Sequence, residues 1–290
     1  MVTVRSVKPW LFLEVGIYTR WMSKMTFCKV IFMKRFTWIC VKVLGGGGAE
    51  GFIQNNHDYS LFTLKKPEGM VIILVYVDDL LITGSNDQLI TEAKEILHRQ
   101  FKLKDLGELK YFLGIKILRS VIGVVLNQRK YVLELIYEMG LSGAKPAITP
   151  LENNIKLTSI AYDQASGSTG DSPLEDVSAY QRLIGRLMYV TTTRPDISYV
   201  IHTLSQFMQH PKKSHWEAAL RVVRYLKNIS CQDIWLRSGP ASKLQCWCDS
   251  NWAACPNTRR SVTGYVVKFD ESLISWKSKK QQTVSKSSAS

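Results

Sequence analysis

At 290 residues the chain holds one large domain or two to three small ones, and an apolar content of 46% is enough for real cores. Its net charge of +14 points to a polyanionic partner, because clustered Lys and Arg gain from counterion release on meeting phosphates. No apolar run approaches the roughly 20 residues of a spanning helix, and Trp10 to Val15 is too short and too acidic at Glu14 for a signal peptide. The six cysteines show neither a paired framework nor zinc spacing, so they read as reduced thiols of an intracellular protein, cytoplasmic or nuclear.

Residues 1–50 carry eight Lys and Arg against two Glu, six of the fourteen net charges. Arg20 to Lys42 has neither an alternating nor a helical apolar period, and Gly45 to Gly48 is a flexible tetraglycine, so this stretch is expected to be a poorly packed, non-native leader. From Gly51 the texture becomes that of globular sequence. His57 to Lys65 and Met70 to Thr83 read as strands around the turn Lys66-Pro67-Glu68-Gly69. Within the second, Val71 to Val77 runs apolar into Asp78 and Asp79, and Leu80 to Ile82 follows at once. Two adjacent carboxylates between buried strands are costly unless they sit at a hairpin tip or meet protons or cations. The alternative is a plain acidic turn.

A helix follows, with a capping box of Ser85 and Gln88 and one apolar face of Leu89, Ile90, Ala93, Ile96, Leu97 and Phe101. Tyr111 to Leu118 and Ile122 to Asn127 read as a hairpin, and Gln128 to Met139 as a helix stopped by Gly140. Residues 142–176 are a polar connection too long for a compact-domain loop, either a mobile linker or a strap across a surface. Helical patterns span Val177 to Thr193, Asp196 to His210 and Ser214 to Asn228, broken at Arg194-Pro195 and Pro211. Lys212, Lys213, Arg221, Arg224 and Lys227 place positive charge on the far side of that bundle. Strands return at Ile234 to Arg237, Lys243 to Cys248, where Cys246 and Cys248 share a face and read as packing residues, Ser261 to Phe269 and Leu273 to Lys277, and a helix is expected to begin at Thr283.

These stretches together carry a family resemblance. HDYSLFTLKK, ILVYVDDLLITGS, FKLKDLGELKYFLGIKI, QRKYVLELI, YQRLIGRLMYVTTTRPDISYVIHTLSQFM, HWEAALRVVRYLK, CDSNWAACPNTRRSVTGY and SLISWKSKKQQTVSKSSA, in this order, resemble the Pol polyprotein of copia-type long-terminal-repeat retrotransposons. The resemblance covers reverse transcriptase and the start of ribonuclease H. It implies an α+β fold: a palm with the strand-Asp-Asp-strand hairpin over 51–141, the polar linker 142–176, a helical thumb or connection over 177–230, and a truncated ribonuclease H-like sheet over 231–290.

The resemblance also implies RNA-directed DNA polymerase chemistry on an RNA or DNA template-primer with deoxynucleoside triphosphates, assisted by two Mg2+ ions. No membrane partner is implied. Mg2+ keeps few protein ligands and suits a site of three aspartates. Asp78 and Asp79 match two of these, with Asp78 expected as the direct ligand because neighbours in an extended chain face opposite ways. Tyr76 is expected near the primer terminus, and Leu113 and Gly114 in the primer-grip region, where glycine allows close backbone approach. Lys212, Lys213, Arg221 and Arg224 are expected on nucleic acid by family position. Asp249 matches the first metal-binding aspartate of ribonuclease H, but where the family usually has Asp this chain has Asn251, and its Ser287-Ser288-Ala289-Ser290 lacks the family's catalytic Glu.

The family's other polymerase aspartate lies upstream in a segment of the kind Y-Q-M-D-V-K-N-D-F-L-Q-G-D-L-H-E-E-V-Y-M, which residues 1–50 lack. Thr19 to Ile39 can nevertheless be back-translated so that a one-base shift reads Q-M-D-V-K-N-D-F-L-Q-G-D-L-H-E-E-V-Y-M. This implies a decayed element copy translated out of frame across its first catalytic motif, and a catalytically defective polymerase. The alternative function is a noncatalytic nucleic-acid-binding remnant or the product of an unexpressed pseudogene.

Overall fold

The computed structural model describes residues 27–33, 51–76, 79–101, 103–153, 155–167, 170–238, 243–284 and 286. The chain divides into two units, one of residues 8–124 with 236–240 and the other of 1–7, 125–235 and 241–290, so that β10 (Ile234–Arg237) is split between them. The first contains β1 (Phe27–Met33), β2 (Ile53–Gln54), β3 (Leu61–Lys66), β4 (Gly69–Tyr76), β5 (Asp79–Gly84), α1 (Asp87–Gln100), β6 (Leu103–Glu108), β7 (Tyr111–Phe112) and β8 (Ile115–Ser120). Strands β1 to β6 form one antiparallel sheet in the order β2-β3-β4-β5-β1-β6. The apolar run before Asp78 is continuous because both faces of β4 are covered. Val71, Ile73 and Val75 join Leu80, Ile82 and Phe62 beneath Leu89, Ile90, Ala93 and Leu97 of α1. Ile72 and Leu74 join Leu61, Leu81 and Leu109 on the other face. A strand buried on both sides has no polar alternation to show.

Helix α1 starts one residue later than expected. Asn86 Oδ1 accepts the Gln88 backbone N–H at 2.8 Å, while Ser85 Oγ accepts the Met70 N–H at 2.9 Å. Ser85 is thus taken up in tying the start of β4 to the end of β5, and capping passes to Asn86. The helix also packs tightly on this corner: a Cβ added at Gly84 would lie 2.9 Å from both Met70 O and Ile90 Cγ1. A further departure is β1. Phe27 to Met33 falls in the stretch with no apolar period, yet its backbone pairs antiparallel with β5 and with β6. Pairing needs only unblocked backbone, and FCKVIFM contains no proline.

The chain passes into the second unit within β9 (Gly123–Asn127). There follow α2 (Arg129–Glu138), α3 (Ile160–Ser166), α4 (Val177–Val190), α5 (Ser198–Leu204), α6 (Lys213–Asn228), β10 (Ile234–Arg237), β11 (Leu244–Asn251), β12 (Val262–Phe269) and β13 (Ser272–Lys280). This mixture of helices and antiparallel sheets is compatible with the expected α+β class. Leu183, Leu187 and Val190 of α4, Val200 and Leu204 of α5, and Val222, Val223 and Leu226 of α6 meet in one core with Leu135 and Ile136 of α2. The break expected at Arg194-Pro195 is also a charged node. The Arg194 guanidinium is 2% exposed, donates to both Asp196 carboxylate oxygens at 2.9 and 2.6 Å and to Ile229 O at 2.6 Å, and lies over the Tyr225 ring.

The last three strands form a sheet in the order β11-β12-β13, and Trp276 Nε1 on β13 donates to Thr191 O at 3.0 Å. Strand β11 is one edge and is exposed along nearly its whole length, so Cys246 and Cys248 are exposed rather than packed. Of the helix expected from Thr283, only Thr283, Val284 and Lys286 are described, and they are not helical; the rest of that stretch lies outside the described residues. No helix of the described residues is long and apolar enough to cross a membrane.

Candidate functional site

The strand pair places Asp79 at the start of β5, across from the end of β4. In the β4 to β5 register Tyr76 stands opposite Asp79. Asp78, the expected direct ligand, lies outside the described residues. Asp79 is half-buried and has β4 on one side and β1 on the other, where its register partner is Phe32. The Tyr76 ring meets Phe112 edge-on, with centroids 6.3 Å apart. Phe112 precedes a two-residue turn between β7 and β8 in which Leu113 (φ 51) and Gly114 (φ 79) both have left-handed backbone. That geometry suits a tight hairpin and is natural for Gly114 but strained for Leu113. The structure thus brings Tyr76 next to the turn that holds Leu113 and Gly114.

Asp249 is exposed on β11 opposite Gly264 of β12, two residues before the strand ends. Among the described residues no group of three or more His, Cys, Asp or Glu side chains is gathered closely enough to hold a metal ion. Asp79 is the single described member of the polymerase set, and the described residues by themselves do not fit a two-ion centre.

The largest correction concerns the basic side of α6. Lys212 does not face solvent: it is 3% exposed, and its ammonium bonds Asp163 at 2.5 Å, Asp171 at 3.0 Å and Thr158 Oγ1 at 3.2 Å. Arg221 donates to Thr149 O at 3.2 Å, Thr149 Oγ1 at 3.1 Å and Glu152 at 2.6 Å, and Lys227 to the carbonyls of Ser142 and Ala144 at 2.5 and 2.8 Å. All these partners lie in residues 141–171. The polar connection is therefore a strap laid along α6, pinned also by Ala147 N–H to Arg224 O at 3.2 Å and Lys213 N–H to Ser172 O at 3.0 Å. Lys213 stays exposed and Arg224 half-buried.

Around Lys212 the strap builds a polar cluster that no local pattern announced. Ser214 donates its hydroxyl to Asp171 at 2.5 Å and its N–H to the same carboxylate at 3.2 Å. His215 is fully buried, stacked on Phe207, and accepts the Lys212 N–H on Nδ1 at 3.0 Å, which leaves Nε2 to donate to Thr158 O at 3.1 Å. Burial, reinforced by the Lys212 charge, pushes the His215 imidazole down to about 4, so it is neutral in the fold. The hydrogen bond from Lys212 holds Asp163 below the usual carboxylate range, and at Asp171 the bonds from Ser214 and Lys212 outweigh the upward push of burial. Burial alone would lower the Lys212 ammonium, but its two carboxylate partners raise it. An open cavity of about 300 Å3 adjoins the cluster, lined by Thr158, Asp163, Asp171, Lys212 and Ser214 among others.

The antiparallel β4–β5 pair, with Tyr76 opposite Asp79, is the arrangement to set against known proteins. Residues 43–153 match the family described as Reverse transcriptase (RNA-dependent DNA polymerase). The chain is 32% identical over 236 residues to the Putative transposon Ty5-1 protein of Saccharomyces cerevisiae, covering 81% of this chain and 74% of that protein. It is 39% identical over 216 residues to an Uncharacterized mitochondrial protein of Arabidopsis thaliana, covering 74% and 86%. The chain belongs to the reverse transcriptase family of copia-type retrotransposon Pol polyproteins. It is 38% identical over 238 residues to the Retrovirus-related Pol polyprotein from transposon RE1 of Arabidopsis thaliana, with 82% of this chain covered but only 16% of that protein. No solved structure matches it.

Proposed function

We propose that this chain is a reverse transcriptase remnant, silent as a polymerase, that retains contacts to nucleic acid through exposed basic residues. The observation that carries the first half is the strand beside Asp79. β1 is hydrogen-bonded to β5 with Phe32 opposite Asp79, and its sequence, FCKVIFM, has no carboxylate. Residues 1–50 contain no aspartate at all. Two adjacent carboxylates without a third cannot hold two cations in register, and catalysis of this kind is positioning and charge stabilisation. The frame-shifted reading of Thr19 to Ile39 gives a cause for the loss.

On this reading residues 51–141 descend from the palm and 177–230 from the thumb or connection, and β11 to β13 descend from ribonuclease H. Asp78 and Asp79 are surviving members of the Mg2+ set, and Asp249 is a stranded one. The net charge of +14 and the exposed Lys213 support the second half, with template-primer and nucleotides the ancestral ligands. The test is template-primed nucleotide incorporation with Mg2+ by the purified full chain. The expected result is no incorporation together with measurable, salt-sensitive nucleic-acid binding. Incorporation that Asp79→Asn abolishes overturns the proposal.

A further inference from the structure

Lys212 combines two properties that rarely meet. It is 3% exposed, yet both carboxylates that neutralise it lie on or just beyond α3, a helix with no buried residue. The strap is fixed in the apolar core before α3 by Leu157 and after Asp171 by Leu174. Between those anchors its contacts are polar: Asp163 and Asp171 on Lys212, Asp171 on Ser214, and Ser159 N–H to Asn257 Oδ1 at 2.8 Å. A segment held at its ends by hydrocarbon and along its middle by ions opens locally at far lower cost than the core beneath it. The open cavity beside Lys212 is lined by Thr158, Asp163 and Asp171 of the strap. Glu152 and the Thr149 carbonyl repeat the pattern on Arg221. Carboxylates and carbonyl oxygens thus sit on α6 cations that would otherwise meet phosphate.

We propose that α3, with Asp163 and Asp171, is a displaceable cover that occupies Lys212 in place of nucleic-acid phosphate, so that this part of α6 binds nucleic acid only when the cover lifts. This rests on the nucleic-acid reading given above and adds its regulation. The cover competes at the high effective concentration of a tethered ligand, whereas a nucleic-acid strand competes by releasing counterions. Low salt and a long polyanion therefore favour the open state.

The experiment uses the full chain, with hydrogen exchange read at α3 and at the α4 to α6 core, and anisotropy of fluorescein-labelled oligodeoxythymidine measured over a salt series. In Asp163→Asn/Asp171→Asn the α3 amides exchange faster while the core stays protected. Binding becomes roughly three- to ten-fold tighter at low salt, with a salt slope steeper by about 0.7, one more phosphate contact on a single strand. Adding Lys212→Met returns affinity and slope to those of the unaltered chain. Asp163→Asn alone gives the same changes to a lesser degree, should the double variant lose its core protection. Equal tightening by Asp87→Asn/Glu92→Gln, which makes the same charge change on α1, overturns the proposal. So does tightening that survives Lys212→Met, or α3 exchange unaltered in the double variant. If α3 opens and no form binds the oligonucleotide, the nucleic-acid reading itself falls and the ligand named here falls with it.

Discussion

In the unit from Phe27 to Val124 the interior is hydrocarbon. The β3 to β5 strands and α1 meet through Leu, Ile, Val and Phe, and the Lys66–Glu92 pair stands out in solvent with its side chains 40% and 54% exposed. Among the described residues Lys94, paired with Asp105, is the charged side chain buried there. In the second unit Arg194 and Lys212 are 2% and 3% exposed and His215 is fully buried, each fixed by partners distant in sequence. Exposed pairs contribute little and are screened by salt, whereas a buried charge that loses its partner is a large penalty. The two units should therefore respond differently to charge deletion and to acid.

The largest expected effect is at Arg194. Arg194→Leu strips Asp196 and the Ile229 carbonyl of their donor, and urea unfolding of the full chain should show the second unit weakened by about 3 kcal/mol with the first unchanged. A loss below about 1 kcal/mol would mean that the node is a surface pair in effect. Next is acid. His215 has a folded value of about 4 against an ordinary 6.5, so the unfolded chain takes up the proton first. Its contribution is whole above pH 6.5 and is lost as pH falls from there to about 4, roughly 3 kcal/mol in all. Asp163 and Asp171, both lowered, add a further loss as pH falls below the ordinary carboxylate value of 3.8. Melting temperatures followed across this range should fall for the second unit, and His215→Phe should flatten the upper part of the curve.

Two smaller effects test the first unit, where shape rather than charge should govern. Gly84→Ala forces a Cβ against Met70 O, a backbone atom that cannot swing aside, and should cost about 2 kcal/mol. Asn86→Ala removes the cap of α1 and should cost about 1 kcal/mol, and neither loss should depend on pH between 4 and 6.5. Equal losses from Ser85→Ala and Asn86→Ala would mean that the cap is shared between them.

What the sequence made legible divides along the same line. The hairpin, α1, the α2 stop at Gly140 and the three later helices are local patterns, readable from apolar period and turn residues, and the Asp78-Asp79 pair stands out because its members adjoin. Strand β1 was not legible, since main-chain pairing with β5 and β6 leaves no mark on side-chain period. Nor was the Lys212 cluster. Asp163 and Asp171 lie 49 and 41 positions before Lys212, in a segment whose Ser, Thr and Asp content signals loop. The sequence grouped Lys212, Arg221 and Arg224 on the far side of the helical bundle. It carried no information about a strap arriving to cover that side.

β1 has a consequence for how such genes decay. A place in the middle of a sheet is filled by any segment that is free of proline and tolerably greasy, since the neighbouring strands bind its main chain. A polymerase metal site tolerates no such substitution, because it needs a carboxylate at one position. On the reading proposed above, a single-base slip in the coding strand removes chemistry at once and architecture hardly at all. Copies that have lost their enzyme can go on producing chains that fold, and what persists of them is scaffold.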